Sequence, residues 1–249
     1  GSYAVPGAVG GNSLIEGMGS SIPNFGTLGD ETGALIVRHT EFVSDIYGNK
    51  WVGGANTEPF TNRPYSLNPG LTSSFPFASQ VANNFEEYEF GQLMYTFKTK
   101  VSTNLTSTDG QVGSILMYTD YNASDPPKRS KQKVMQSYGN TNVKITDTGI
   151  HGVECDPSKI PGDGHRFTRS QPPSTASGES LSKYDHGLFQ IMVVNTPEAL
   201  SEQVIGELYV SYTLILRKPR VHTLYGLSLD RDEFLMEMTA PDMIPAQTV

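Results

Sequence analysis

Large apolar side chains occupy every second position between Glu207 and Leu216, near the end of the chain. A period of two residues places all of these side chains on one face of a β-strand, and it does not match the 3.6-residue period of a helix. Pro219 ends the pattern, because proline cannot donate a hydrogen bond to a sheet ladder. The sequence therefore predicts a long final strand with one face in a hydrophobic core.

Strand-like patterns recur upstream of this run. Candidate strands lie at residues 34–46, 93–101, 112–119, 143–148, 166–169 and 187–195. The run at 112–119 is almost continuously apolar, which is typical of a strand buried on both faces. Together these patterns indicate roughly eight strands in one domain, joined by long polar loops.

Two short helices are predicted in the connections between strands. The segment 79–88 carries an apolar stripe formed by Val81, Ala82, Phe85 and Tyr88. The segment 128–139 follows two prolines and ends at Gly139, so it is the second candidate.

Composition narrows the fold class further. The chain of 249 residues contains 25 glycines, 16 prolines and one cysteine, and only 18% of its residues are charged. These values exclude a coiled coil, a disulfide framework and any metal site built from several cysteines. We predict an all-β fold, an eight-stranded antiparallel jelly-roll sandwich with one or two short helices in the connections. An immunoglobulin sandwich would be smaller and would need a second cysteine.

The chain divides into three parts by composition. Residues 1–32 are rich in glycine, serine and proline and predict an extended N-terminal arm, residues 33–219 form the jelly-roll domain, and residues 220–249 form an acidic, methionine-rich tail. The first residues lack the charged and apolar regions of a signal peptide and include no initiator methionine, so we expect a processed or truncated product. The absence of any apolar run of about eighteen residues predicts no membrane partner.

Three segments resemble the shell domains of tombusvirus- and nodavirus-type capsid proteins. Asn68–Lys98 (NPGLTSSFPFASQVANNFEEYEFGQLMYTFK) is similar to the region in which an Asn-Pro-Gly turn and a short helix lead into an aromatic-rich second strand. Gly206–Pro219 (GELYVSYTLILRKP) is similar to their last strand, and Asp120–Pro127 (DYNASDPP) is similar to an acidic loop that follows their fourth strand. Related folds occur in some single-stranded DNA viruses such as the bacilladnaviruses, so the resemblance leaves an RNA or a DNA genome open.

The resemblance implies a viral capsid protein that self-assembles from many copies into a closed icosahedral shell around the genome. It implies a structural protein of the virion, assembled inside the host cell, rather than an enzyme. One feature departs from the family, because residues 1–32 contain no Lys or Arg and the chain carries a net charge of −8. Since nucleic-acid binding depends on clustered positive charge, we expect a basic arm upstream of Gly1.

The densest basic cluster consists of Lys128, Arg129, Lys131 and Lys133. In a shell protein these side chains could contact genome phosphates on the inner surface. The alternative is a solvated face or a salt-bridge patch between subunits, since no aromatic residue lies among them for base stacking.

Asp120, Asn122 and Asp125 place three oxygen-bearing side chains in one loop. The matching loop of many small plant-virus shells binds calcium at a subunit interface, so the resemblance implies a Ca²⁺ site here. Ca²⁺ takes about six to eight oxygen ligands, so a neighbouring chain would have to supply the rest. The family has a carboxylate at the position of Asn122. The alternative is a turn in which these side chains cap backbone N–H groups.

No motif in the sequence predicts catalysis. Glu86, Glu87 and Glu89 invite comparison with the paired carboxylates of glycosidases, but the chain has one tryptophan and lacks the aromatic platforms of such enzymes. The five histidines have no HxxxH or HExxH spacing, which disfavours a zinc site. The alternative function is a carbohydrate-binding, lectin-like jelly-roll module or a virion attachment protein, which aromatic platforms exposed in a groove would favour.

Overall fold

The computed structural model describes residues 3–4, 15–16, 23–27, 34–103, 112–158, 164–171 and 180–220. In chain order the strands are β1 (Tyr3–Ala4), β2 (Ile15–Glu16), β3 (Asn24–Thr27), β4 (Leu35–Tyr47), β5 (Trp51–Val52), β6 (Ala55–Asn56), β7 (Phe60–Ser66), β8 (Phe85–Thr99), β9 (Ser114–Asp120), β10 (Thr141–Lys144), β11 (Gly149–Val153), β12 (Arg166–Phe167), β13 (Leu188–Val194) and β14 (Val204–Pro219). The helices are α1 (Ala78–Ala82) and α2 (Lys131–Met135), with single 3-10 turns at Leu181–Lys183 and Glu198–Leu200.

Two antiparallel sheets form the body of the domain. One has the order β10-β9-β13-β7, and the other has the order β11-β8-β14-β4-β3, with β12 also paired to β8. Without the short strands β3 and β12, each sheet contributes four strands, which confirms the predicted eight-stranded jelly roll. The inner faces meet in one hydrophobic core, where the rings of Tyr95 on β8 and Phe189 on β13 stack at 3.7 Å between centroids. The minor pairs are β1 with β2, which is parallel, and the hairpin of β5 and β6.

The last strand, β14, lies in the middle of its sheet. It pairs with β4 on one side and with β8 on the other. Its alternating side chains point into the core, where the exposed fraction is 0% for Leu208, Val210, Leu214 and Leu216 and 4% for Tyr212. The period of two residues in the sequence therefore predicts this strand correctly.

The four-stranded sheet is buried on both faces near its centre. Every residue of β13 is buried, as is most of β9. On the outer face, Leu116, Met192 and Val194 pack against Val134 of α2 and form a second, smaller core. The continuous apolar run at 112–119 therefore predicts this environment correctly, and α2 is the element that covers the sheet.

The predicted helix at residues 79–88 is correct only at its start. Helix α1 ends at Ala82, and β8 begins at Phe85 and pairs with β14 along its whole length. The buried side chains of β8 alternate from Tyr88 to Phe90 and then change phase at a bulge next to Gln92. The side chains of Phe85 and Tyr88 both pack against the core, and their spacing of three residues fits a helical stripe better than the two-residue period of a strand.

The boundary of the predicted arm stays a prediction. Within it, β3 pairs antiparallel with β4, with Phe25 opposite Val37, and extends the six-stranded sheet. The predicted tail lies outside the described residues except for Arg220, whose N–H donates to the carbonyl oxygen of Asn84 at 2.7 Å. Among the described residues, no helix has the length and apolar character needed to cross a membrane.

Candidate functional site

The acidic loop lies at one end of the sandwich, directly after β9. Asp120 is opposite Leu188, the first residue of β13, and Leu188 is in turn opposite Ser66, the last residue of β7. The loop therefore begins where three strands of the same sheet reach a common edge. We define the acidic loop as residues 120–127.

The acidic loop closes on itself through hydrogen bonds. The N–H of Asn122 donates to Asp120 Oδ1 at 3.2 Å, and Asn122 Nδ2 donates to Asp125 Oδ1 at 2.7 Å. Asn122 Oδ1 accepts the N–H of Ser124 at 3.2 Å. This geometry matches the alternative interpretation, a turn in which Asp and Asn side chains cap backbone N–H groups.

Lys128 is the cation that pairs with Asp120 of this loop within the chain. Its Nζ lies 2.8 Å from Asp120 Oδ2, and the side chains of the two residues are only 22% and 10% exposed. The hydrogen bond to Asp120 raises the pKa of Lys128. The main chain of Lys128 is also fixed, because its N–H donates to Gln190 Oε1 at 2.8 Å and its carbonyl accepts from Asn62 Nδ2 at 2.8 Å.

The three predicted calcium ligands do not form a calcium site within one chain. Asp120 is paired with the ammonium group of Lys128. The side-chain oxygen of Asn122 and one carboxylate oxygen of Asp125 accept hydrogen bonds inside the loop. Across the described ranges, no group of three or more His, Cys, Asp or Glu side chains is arranged to hold a metal ion. A Ca²⁺ site completed by a neighbouring copy stays a prediction.

The predicted nucleic-acid contact separates into two parts. Arg129, Lys131 and Lys133 are exposed on and next to α2, whereas Lys128 is directed to the acidic loop. Helix α2 is fixed at its start by Ser130, whose side chain accepts the N–H of Lys133 at 3.4 Å. Three exposed cations on one short helical segment remain available for a phosphate contact, which stays a prediction.

The Asn-Pro-Gly segment that carries the sequence resemblance is a buried connector. Asn68 is fully buried, and its Nδ2 donates to the carbonyl oxygens of Phe167 at 3.0 Å and Tyr184 at 2.8 Å. Its Oδ1 accepts the N–H groups of Gly70 at 3.0 Å and Arg169 at 3.2 Å. One side chain therefore satisfies four backbone groups from three separate loops, which only a side-chain amide can do in this geometry.

A buried ion pair lies beside this connector. Arg169 Nε and Nη2 donate to the two carboxylate oxygens of Asp185 at 2.8 and 2.6 Å. The Arg169 side chain is 10% exposed and the Asp185 side chain is 1% exposed. The sequence carries no signal for this pair, because both residues lie in irregular segments that only the tertiary fold brings together.

The carboxylates considered for glycosidase chemistry take part in ion pairs with β14. Glu87 Oε1 lies 2.5 Å from Lys218 Nζ, and Glu89 Oε2 lies 3.3 Å from Arg217 Nη2. Their strand β8 holds Glu86, Glu87 and Glu89 in an extended segment rather than on a helix. This arrangement joins neighbouring strands and gives no convergent acid–base pair.

Two histidines are buried as neutral groups. His151 is 3% exposed, and its Nε2 and Nδ1 hydrogen-bond to Thr119 Oγ1 at 2.9 Å and Thr141 Oγ1 at 3.1 Å. Burial lowers the pKa of His151 from 6.5 to about 4. Burial also lowers the pKa of His186, whose Nε2 donates to the carbonyl oxygen of Glu154 at 2.7 Å.

The lowered pKa of His151 makes stability depend on pH. The unfolded chain takes up a proton on this residue as the pH falls below about 6.5, whereas the folded chain does so only near 4, so stability falls across that window. The expected loss between these pH values is about 3 kcal/mol, because one pKa unit corresponds to about 1.4 kcal/mol. Urea unfolding at neutral and acidic pH would measure it.

A histidine variant isolates this effect from the titration of carboxylates. His151→Gln is expected to flatten the pH dependence by that amount. A His151→Gln curve with the wild-type slope would contradict the assignment.

The family model and the curated relatives that match this chain are all viral coat or capsid proteins. The viral coat protein (S domain) family matches residues 17–221. The capsid protein of Oat chlorotic stunt virus (isolate United Kingdom) is 32% identical over 203 residues, which cover 80% of this chain and 40% of that protein. The capsid protein of Cucumber necrosis virus is 30% identical over 94 residues, or 38% of this chain and 23% of that protein. The chain thus spans less than half of the length of these curated relatives.

Solved structures share the fold. The structure of Cucumber Necrosis Virus matches with a TM-score of 0.65 at 20% sequence identity, covering 90% of this chain and 59% of that chain. The structure of Tobacco Necrosis Virus matches with a TM-score of 0.62 at 15% identity, covering 81% of this chain and 89% of that chain.

The family match covers the domain that both predicted functions share. It spans both sheets of the jelly roll and includes all three segments that carry the sequence resemblance. The matches reported above are to viral coat and capsid proteins rather than to carbohydrate-binding modules. The chain belongs to the viral coat protein (S domain) family.

Proposed function

We propose that many copies of this chain assemble into the closed icosahedral shell of a virion and enclose the viral genome. The proposal rests on the family match over residues 17–221, which covers the whole jelly roll. The role is mechanical rather than catalytic, with assembly inside the host cell. Repeated weak contacts between identical copies can close a shell, because each chain meets its neighbours through related surfaces.

The outer face of the six-stranded sheet supports self-association. Phe42, Tyr209, Thr96 and Ile150 lie in register across four neighbouring strands and form one row. Phe42 is 42% exposed and Ile150 is 57% exposed, and both are large apolar side chains on a sheet surface. Phe42 and Ile150 stand at the two ends of the row, with Tyr209 and Thr96 between them, and the row is the surface we assign to contact with a neighbouring copy.

Charge decides how the genome would be held. The net charge of −8 makes the chain as a whole a poor ligand for nucleic acid. The contact therefore falls to local positive charge, which within this chain means Arg129, Lys131 and Lys133. Lys128 contributes less, because Asp120 already neutralises it.

Electron microscopy tests the proposal directly. Negatively stained preparations of the complete gene product are expected to show uniform round particles, and size-exclusion chromatography is expected to elute them far ahead of a single chain. A folded, monodisperse monomer at high protein concentration would contradict shell formation.

A matched variant separates assembly from genome contact in the same preparations. Replacing Arg129, Lys131 and Lys133 by glutamine is expected to leave particle formation intact and to lower the nucleic-acid content of the particles. Unchanged nucleic-acid content would remove these three side chains from the proposed contact.

A further inference from the structure

Lys128 differs from the rest of its basic cluster in how it is held. Its N–H and carbonyl are both bound by side-chain amides, from Gln190 and Asn62, on the outer face of the four-stranded sheet. Gln190 is itself fully buried, and its Oε1 also accepts from Asn62 Nδ2 at 2.7 Å. The main chain of Lys128 is therefore fixed before its side chain makes any contact.

The side chain of Lys128 extends from this fixed point to the acidic loop. Its Nζ reaches Asp120 Oδ2 at 2.8 Å and lies 5.7 Å from the centre of the Tyr118 ring. Asp120 is 7% exposed, and a carboxylate at such a position is costly to keep charged without a partner. The ammonium group supplies that partner from within the same chain.

We propose that Lys128 is the permanent counter-ion of Asp120 in the acidic loop and fills the role that a bound metal ion would otherwise have there. The loop is then closed, and its buried carboxylate is paired with a positive charge in the single chain, without Ca²⁺. This inference does not depend on the proposed shell function, because every contact that supports it lies within one copy.

The chemistry of the two cations explains why they exclude each other. An ammonium group donates three hydrogen bonds and is satisfied by a few acceptors, whereas Ca²⁺ takes about six to eight oxygens. The side chains of the loop offer Ca²⁺ little, because Asn122 and Asp125 already bind each other. A Ca²⁺ ion at Asp120 would also meet the positive charge of Lys128 at close range.

Thermal unfolding of the expressed chain tests the inference. The melting temperature of the wild-type protein is expected to be the same with excess EDTA and with millimolar CaCl₂. Lys128→Met, which keeps the length of the stem and removes the charge, is expected to lower the melting temperature by about 5 °C or more. Lys131→Met, an exposed position in the same cluster, is the matched control and is expected to have no effect.

A double variant distinguishes the ion pair from a general packing effect. Asp120→Asn combined with Lys128→Met removes both charges, so it is expected to melt above the single Lys128→Met variant. The inference fails if the melting temperature of the double variant falls by the sum of the losses of Asp120→Asn alone and Lys128→Met alone, because the two charges are then not coupled.

Terbium luminescence provides a measurement that requires no variant. Tb³⁺ is a calcium substitute, and Tyr118 before the loop and Tyr121 within it would transfer energy to an ion bound there. The wild-type protein is expected to show no saturable terbium emission. Saturable emission that Ca²⁺ displaces, or a melting temperature that rises with CaCl₂, would overturn the inference and support a metal site instead.

Discussion

Replacing Arg169 by methionine is expected to lower the free energy of unfolding by about 3 to 5 kcal/mol. The variant keeps most of the side-chain volume but leaves the carboxylate of Asp185 without its two hydrogen bonds, at a position where that side chain is 1% exposed. An isolated buried charge is what makes the loss large, since the ion pair as a whole contributes much less. Urea denaturation at neutral pH measures the change.

A second substitution identifies the cause of this loss. Adding Asp185→Asn to Arg169→Met removes the unpaired charge, so the double variant is expected to regain a large part of the lost stability. The hydrogen bond from the Arg169 N–H to Asn68 is a main-chain contact and is retained in both variants. A single variant as stable as the wild type would contradict the buried-pair interpretation.

Replacing Gly206 by alanine is expected to prevent stable folding or to cost about 3 kcal/mol or more. A Cβ atom at this position would lie 2.3 Å from the ring of Phe97 and 2.6 Å from the carbonyl oxygen of Lys98. Phe97 is fully buried, and the Lys98 carbonyl belongs to the strand paired with β14, so neither can move without disturbing the sheet. The yield of folded protein and its urea midpoint measure the effect.

Gly152 supplies the control for this substitution. It also lies within a strand, β11, but a Cβ atom added there meets nothing within 4 Å. Gly152→Ala is therefore expected to change the urea midpoint little. If both substitutions lower the urea midpoint equally, the close contact with Phe97 is not the reason why position 206 requires glycine.

Periodicity predicts the strands well wherever the period is uninterrupted. The final strand is predictable because its buried side chains follow the two-residue period along its whole length. The strand at 112–119 is predictable because its apolar run is almost continuous, as expected of a strand that is buried on both faces. The helix predicted at 79–88 is wrong beyond Ala82 because Phe85 and Tyr88, three residues apart, both pack against the core, and that spacing resembles a helical stripe.

The candidate site was predictable in part, and the limit is physical. Asp120 and Lys128 were identified as members of an acidic loop and a basic cluster, and their pairing follows only from the course of the chain between them. The roles of Asn68 and Arg169 depend on contacts across 99 and 16 positions of sequence. A single sequence records which groups can bind, and the tertiary fold decides which of them meet.

The central position of β14 has a consequence for biosynthesis. The nascent chain presents β4 and β8 before their shared neighbour has been translated, so each keeps an unpaired edge until the ribosome passes residue 204. Closing the sheet requires contacts over most of the chain, which is the kind of topology that folds slowly. Prematurely terminated chains therefore lack the centre of a sheet rather than its margin.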